Sequence, residues 1–187
     1  EHPLCIVRCC GHCLAVNSRA LELLGITADT PQPEGGRIGM ENGAPDGLFF
    51  DNAMELVYAA VPVPGKEELK DMIRRACAVL NTYGITACGS DDYCVFQNLP
   101  WQTVNDAFRQ LEQDNELTVR VYEQANFTNL SSLSGFVEAG NITGKGTNFF
   151  KIGPLKMLGD GSLGSRTALL SKPYADDAGT TGLGIFT

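Results

Sequence analysis

The amino-acid sequence predicts an α/β fold that contains a parallel β-sheet. From residue 66 onward, amphipathic helical stretches alternate with short apolar runs that are rich in strand-forming residues. Polar and acidic residues follow these runs directly. Strands that are separated by helices are joined by crossover connections, which makes the strands parallel.

The first part of the chain predicts a smaller unit of mixed α and β structure. An apolar, β-prone run covers residues 4–10. Asn17 or Ser18 is a suitable N-cap for a helix that Gly25 ends.

A β-hairpin is predicted next, because two strand-like runs flank the turn sequence Asn42-Gly43. Asp51 is predicted to be the N-cap of a short helix over residues 52–59. The first domain is therefore predicted to comprise residues 1–62.

A domain boundary is predicted around residues 61–65, where two prolines and a glycine interrupt regular structure. The second predicted domain, residues 63–187, contains three helix–strand pairs. The helices are predicted over residues 66–82, 103–113 and 130–139, and the strands over 85–89, 117–122 and 149–158.

Composition and charge exclude several classes of protein. The formal net charge of −8 argues against a nucleic-acid partner, which requires a basic face. No apolar run approaches the roughly 18 residues of a membrane helix, and nothing resembles a signal peptide. The seven cysteines do not have the spacing of a disulfide framework, so we expect reduced thiols and a cytoplasmic protein.

Lys156 lies within the last predicted strand, just before the turn sequence 159–162. Burial would favour its neutral amine over the ammonium. A neutral amine is a nucleophile that can add carbon dioxide and become a carbamate, which is an oxygen ligand for metal ions. Alternatively, Lys156 pairs with a carboxylate or extends to the surface.

Other polar side chains that follow the predicted strands allow either a functional or a structural role. Asp91 and Asp92 could be solvated turn residues, and Glu123 could be a loop residue. Asp160 could simply hold a turn through its side chain. Arg166 could pair with a carboxylate of the protein or clamp an acidic group of a substrate.

The cluster formed by residues 9–13, Cys-Cys-Gly-His-Cys, contains the ligand types of a zinc site. Structural zinc sites pair two such clusters, but Cys77, Cys88 and Cys94 are scattered along the chain. A small zinc-binding module is therefore the less favoured interpretation of this cluster.

Several sequence motifs resemble those of amidohydrolase family 3, which includes N-substituted formamide deformylases. The longest is K-x-x-x-D-G-S-x-G-S-R-T-A-x-L, matched by Lys156, Asp160, Gly161, Ser162, Gly164, Ser165, Arg166, Thr167, Ala168 and Leu170. A second, G-H-x-x-x-x-N-S-x-A-L, is matched by Gly11, His12, Asn17, Ser18, Ala20 and Leu21. Further matches lie between Pro33 and Ala53.

This resemblance implies part of a (β/α)8, or TIM-like, barrel. Residues 63–187 resemble about three consecutive βα units, and residues 1–62 resemble a small α+β insert domain that precedes them. Members of the family are much longer, so we expect this chain to be an internal fragment. Three strands cannot close a barrel, and we expect their edges to be covered, for example in a homo-oligomer.

The resemblance also implies a metal-dependent hydrolase that cleaves C–N bonds in amides, formamides or cyclic amides through a metal-activated water. Such enzymes hold divalent ions, commonly zinc, by an H-x-H pair, a lysine carbamate, two further histidines and an aspartate that is also the general base. Lys156 is the one metal ligand that carries over. We therefore expect the general base to lie outside the fragment, and the fragment alone to bind no metal and to be inactive.

The substrate-binding residues that the resemblance implies are His12, Asp91, Asp160, Ser162 and Arg166, and the expected partner is a small amide-type molecule. The alternative is a non-catalytic binding or assembly module that keeps the fold without metal. Lys156 distinguishes the two, because a binding module has no need of a carbamate.

Overall fold

A computed structural model describes residues 2–96, 98–127 and 129–184. Over these residues the chain forms seven β-strands in two sheets and five α-helices. It divides into two compact units, one formed by Glu1–Ala60 with Leu158–Thr187 and the other by Val61–Met157. The predicted domains are residues 1–62 and 63–187. The division differs from them because it groups residues 158–187 with the first unit.

The first unit contains a four-stranded antiparallel sheet in the order β1-β2-β4-β3. The strands are β1 (Cys5–Val7), β2 (Cys13–Val16), β3 (Gly36–Glu41) and β4 (Ala44–Asp51). The hairpin between β3 and β4 turns at Asn42 and Gly43, which both have positive φ, as a tight two-residue turn requires. The predicted hairpin is thereby confirmed.

Helix α1 (Ser18–Leu24) begins and ends as predicted. The Asn17 side chain accepts a hydrogen bond from the backbone N–H of Ala20, and Gly25 ends the helix in the left-handed conformation.

Helix α2 (Met54–Tyr58) follows β4. The prediction that Asp51 caps this helix is wrong, because Asp51 is the last residue of β4 and Ala53 occupies the N-cap position. The core of the first unit lies between its sheet and its helices and consists of Leu14, Ile38, Phe49, Ala53, Met54 and Val57.

The second unit contains a three-stranded parallel sheet in the order β5-β6-β7. The strands are β5 (Ala87–Ser90), β6 (Arg120–Ala125) and β7 (Phe150–Leu155). The helices α3 (Lys66–Thr82), α4 (Trp101–Gln113) and α5 (Leu130–Glu138) alternate with them along the chain. The predicted α/β alternation and the parallel pairing are confirmed, whereas the assignment of these strands to a partial (β/α)8 barrel stays a prediction.

The apolar faces of the helices explain how the second unit is held together. Phe108 of α4 stacks on Phe150 of β7, with ring centroids 4.9 Å apart. Val104 and Leu111, which lie on the same face of α4 as Phe108, are completely buried. None of the helices in the described part of the chain is long and apolar enough to cross a lipid bilayer.

The pairing between β6 and β7 contains a β-bulge near its carboxyl end. Glu123 lies opposite Ile152 and Ala125 lies opposite Leu155, so β7 has one residue more than β6 between these pairs. A Cβ atom at Gly153 would lie 2.8 Å from the carbonyl oxygen of Glu123, which explains the glycine. The strand ends at Leu155, so Lys156 lies just beyond it and not within it as predicted.

Candidate functional site

Lys156 and Asp91 form an ion pair at the carboxyl ends of the parallel strands. Asp91 follows β5 and Lys156 follows β7, and the Lys156 ammonium donates a hydrogen bond to Asp91 Oδ2. Asn126, just after β6, donates from Nδ2 to the same oxygen at 3.3 Å. Both charged side chains are about one third exposed, so solvent reaches the pair. Of the roles that the sequence left open for Lys156, this geometry shows pairing with a carboxylate.

A second pair of acidic residues, Glu123 and Asp92, lies at the same strand ends. Glu123 is fully buried on β6, and its Oε1 accepts a hydrogen bond of 2.6 Å from the backbone N–H of Asp92. Burial and the nearby charge of Asp92 raise the pKa of Glu123 to about 9. Burial also raises the pKa of Asp92. At neutral pH, Glu123 is therefore protonated.

The described residues do not form a complete metal site. They contain no group of three or more His, Cys, Asp or Glu side chains placed to hold a metal ion. The side chains of the cluster at residues 9–13 are not placed in this way either. A carbamate on Lys156 would place a second anion beside Asp91, which is unfavourable without a cation near both groups. The described residues therefore offer no complete set of ligands, and the role of Lys156 as a metal ligand stays a prediction.

His12 is paired with Asp51 in the first unit. His12 Nδ1 lies 2.7 Å from Asp51 Oδ1, and the backbone N–H of Asp51 donates to the carbonyl oxygen of His12 at 3.2 Å. The Asp51 side chain is fully buried, whereas about one fifth of the His12 side chain is exposed. The His12 ring is thus held in one orientation while part of it stays accessible to a ligand.

Asp51 has a φ angle of 47°, a left-handed conformation that few residues other than glycine, asparagine and aspartate adopt. Sequence reasoning missed its pairing with His12. The two residues are far apart in the sequence, and they meet only because β2 pairs with β4 with Cys13 opposite Phe50.

Asp160 and Ser162 stabilise the loop that follows Leu158 in the first unit. Asp160 Oδ2 accepts a hydrogen bond of 2.8 Å from the backbone N–H of Leu169. The Ser162 side chain caps a short 3₁₀ helix, Leu163–Ser165, and its Oγ lies 2.8 Å from Ser165 Oγ. Both side chains therefore already have partners within the loop.

Arg166 is also engaged within this loop. Its guanidinium binds the Asp176 carboxylate through two hydrogen bonds, one of which joins Nε to Oδ1 at 2.9 Å. This bidentate geometry is the one that a guanidinium would use toward a substrate carboxylate. The substrate-binding roles of Asp160, Ser162 and Arg166 stay predictions.

The structure places the predicted site residues in two groups. Asp91 and Lys156 lie together in the second unit, and Glu123 and Asp92 lie at the same strand ends. His12, Asp160, Ser162 and Arg166 belong to the first unit.

The chain is similar in sequence to two longer proteins. It is 32% identical, over 98% of its length, to the amidohydrolase YtcJ of Bacillus subtilis (strain 168). It is 29% identical, over 98% of its length, to Protein LONG AFTER FAR-RED 3 of Arabidopsis thaliana. The alignments cover 33% and 32% of these two relatives, so the chain spans about a third of their length.

Two solved structures have a similar fold. One is an uncharacterized metal-dependent hydrolase from Pyrococcus horikoshii OT3, with a TM-score of 0.62, 25% identity, and coverage of 98% of this chain and 34% of that one. The other is an uncharacterized metal-dependent hydrolase from Pyrococcus furiosus, with a TM-score of 0.61, 23% identity, and coverage of 100% of this chain and 36% of that one. The second similarity concerns the fold alone.

The family assignment rests on the full length of the chain. The model of the amidohydrolase family matches residues 1–187, which include the motif residues from His12 to Arg166. This chain therefore belongs to the amidohydrolase family.

Proposed function

We propose that this chain is part of a metal-dependent amidohydrolase that hydrolyses C–N bonds in amides, formamides or cyclic amides. The observation that carries the proposal is the position of Lys156, which follows a parallel strand directly and faces Asp91 at the strands' carboxyl ends. In (β/α)8 enzymes the active site lies at this edge of the sheet.

The architecture of the second unit supports a partial (β/α)8 barrel. Its three consecutive parallel strands alternate with helices along the chain, as consecutive βα units of such a barrel do. β5 has one neighbour among the described strands. We propose that the exposed edges are covered in a larger assembly, such as a homo-oligomer.

Within this proposal, Lys156 would be a metal ligand in its carbamate form, and the metal, which we propose to be zinc, would supply a hydroxide for attack on the carbonyl carbon. Asp91 pairs with Lys156 in its ammonium form, so forming the carbamate would require a cation near both groups to offset the charge of Asp91. The buried Glu123 would hold a proton beside Asp92 at neutral pH. The other ligands and the general base would come from outside these 187 residues, which alone would be inactive.

We propose that the substrate is a small molecule. The candidate binding residues are Asp91 in the second unit and His12, Asp160, Ser162 and Arg166 in the first, and each is a candidate by itself. For His12, the partly exposed ring held by Asp51 supports this role. Arg166 would have to exchange its contact with Asp176 for a contact with an acidic group of the substrate. We also propose that the protein is cytoplasmic and has no nucleic-acid or membrane partner.

The test compares lysine variants in the polypeptide that carries this chain, loaded with zinc and assayed on a panel of amides, formamides and cyclic amides. Lys156→Arg keeps a cation that can pair with Asp91 but cannot form a carbamate. Lys151 is exposed on β7, so Lys151→Ala is a matched control. We expect Lys156→Arg to lose activity by about two orders of magnitude or more and to lose bound zinc, while Lys151→Ala stays active. Full activity and zinc content in folded Lys156→Arg would contradict the ligand role.

A second candidate function is a non-catalytic binding or assembly module. The observation that favours it is the existing ion pair, in which Lys156 has a structural partner and needs no carbon dioxide or metal. This alternative predicts a polypeptide without bound metal and without activity on the whole panel, and a Lys156→Arg variant that behaves like the wild type.

A further inference from the structure

Cys10, in the loop that joins β1 to β2, and Cys13, the first residue of β2, have the spacing Cys-x-x-Cys. The loop is closed by a hydrogen bond of 2.9 Å from the Arg8 N–H to the Cys13 carbonyl oxygen, and by one of 2.9 Å from the Gly11 N–H to the Arg8 carbonyl oxygen. Gly11 has a φ angle of 73°, which lets the chain turn sharply between the two cysteines. Both cysteines are partly exposed and are free thiols in this structure.

The surroundings of Cys10 stabilise a thiolate. The backbone N–H of His12 donates to Cys10 Sγ at 3.4 Å, and the Arg8 guanidinium and the Ser162 hydroxyl also interact with this sulfur. Burial opposes the charged form, but these donors and the charge of Arg8 outweigh it and lower the pKa of Cys10 to about 7.

The Cys13 thiol, unlike that of Cys10, loses its proton less readily than an ordinary cysteine. Its side chain interacts with that of Cys10, and burial together with the charge of Cys10 raises its pKa. In dithiol pairs that exchange disulfides, one cysteine is a thiolate that attacks, and a second cysteine nearby resolves the resulting mixed disulfide. The other two cysteines of this region fit less well, because Cys5 lies on β1 opposite Val16 and Cys9 is adjacent to Cys10, where a bridge would be strained.

We propose that Cys10 and Cys13 form a reversible disulfide, with Cys10 as the attacking thiol and Cys13 as the resolving thiol. The oxidant is a low-molecular-weight disulfide of the glutathione type. The Cys10 thiolate attacks one sulfur of the oxidant, forms a mixed disulfide and releases one thiolate. Cys13 then loses its proton and attacks Cys10 Sγ, which releases the second thiolate. The protein gives up two electrons and two protons in total, and one oxidant disulfide becomes two thiols.

This bridge would span His12. The His12 N–H now donates to Cys10 Sγ and its ring contacts Asp51, so closing the bridge would restrain the backbone on both sides of this histidine. The site is thus a redox-sensitive modification site, and it does not depend on whether the protein is a hydrolase.

The test equilibrates the chain in glutathione buffers of increasing oxidation, quenches with acid, alkylates the free thiols and maps the labels by mass spectrometry. We expect the oxidised chain to carry two labels fewer than the reduced chain, with the missing labels at Cys10 and Cys13. Cys13→Ser should accumulate a glutathione adduct on Cys10, whereas Cys10→Ser should react at least tenfold more slowly at Cys13. Cys9→Ser is the matched control and should still form the bridge.

Two results would overturn the proposal. One is a wild-type chain that keeps labels at both cysteines in fully oxidised glutathione while its fold is intact by circular dichroism. The other is a loss of the bridge in Cys9→Ser, which would assign the disulfide to Cys9. Because no step requires metal or substrate, failure of the hydrolase proposal would leave this result unchanged.

Discussion

The backbone N–H of Asp92 donates a hydrogen bond of 2.6 Å to Glu123 Oε1, and the Glu123 side chain has no exposed surface. A carboxyl group in this position binds a proton more tightly than it does in water, because burial and the charge of Asp92 both disfavour its anion. The raised pKa of Glu123 should therefore make the free energy of unfolding depend on pH.

We expect the free energy of unfolding to fall as the pH rises from the ordinary glutamate pKa of 4.5 toward about 9. In this window the folded state holds a proton on Glu123 that the unfolded state has released, so each pH unit removes about 1.4 kcal/mol. The raised pKa of Asp92 contributes in the same direction. Urea unfolding at several pH values measures the slope.

Glu123→Gln is the control for this slope, because its neutral amide can still accept the hydrogen bond from Asp92. We expect the variant to be close to the wild type in stability at the acid end of the window and more stable at the alkaline end. An equally steep pH dependence in Glu123→Gln would show that another group causes it.

Asp51 contributes to stability through its contact with His12 and through its tolerance of a left-handed backbone conformation, and two substitutions should separate these effects. Asp51→Ala removes the partner of His12 and leaves a residue that is strained at a φ of 47°, so we expect a loss of about 1–3 kcal/mol. Asp51→Asn tolerates this conformation and can still accept a hydrogen bond, so its loss should be smaller. Thermal unfolding of both variants measures the difference, and equal losses would contradict this account.

Gly153→Ala should destabilise the second unit. The added Cβ would meet the Glu123 carbonyl group at 2.8 Å, and backbone atoms cannot yield as a flexible side chain would, so we expect a cost of about 1–3 kcal/mol. Gly89→Ala on β5 is the matched control, because its Cβ would lie 3.8 Å from the nearest atom, Tyr122 O. Urea unfolding of the two variants should rank Gly153→Ala as the less stable.

Arg8→Gln should raise the pKa of the Cys10 thiol, because it removes the cation that favours the thiolate. At neutral pH a smaller fraction of thiolate remains, and alkylation of Cys10 should slow several-fold. The pH profile of alkylation at Cys10 measures the shift. Arg19→Gln, which removes an exposed arginine on α1 that pairs with Glu22, should leave the profile unchanged.

The sequence predicted best where helical periodicity and end signals agree. Helix α3 has the predicted bounds, Lys66–Thr82, because its apolar repeat is long and lies between Gly65 and Gly84. Strand bounds were less accurate. β6 runs from Arg120 to Ala125 against a prediction of 117–122, since a short apolar run contains no signal for where hydrogen bonding to a neighbouring strand begins.

The candidate site could be predicted only in part. The alternation of helices and strands already placed Asp91 and Lys156 at one edge of a parallel sheet. Their direct pairing, the contact of His12 with Asp51 and the protonation of Glu123 could not be predicted. Each depends on strand register or on burial, which are properties of the folded chain as a whole.

Because of the bulge in β7, the direction in which Lys156 points depends on the number of residues in this strand as well as on their identity. Side chains alternate between the two faces of a sheet, so removing the extra residue would turn every later side chain of the strand to the opposite face. Lys156 would then point away from Asp91 although no residue in contact with either had changed. Natural or engineered variants of this segment should therefore tolerate substitutions at Pro154 and Leu155 more readily than insertion or deletion of a single residue.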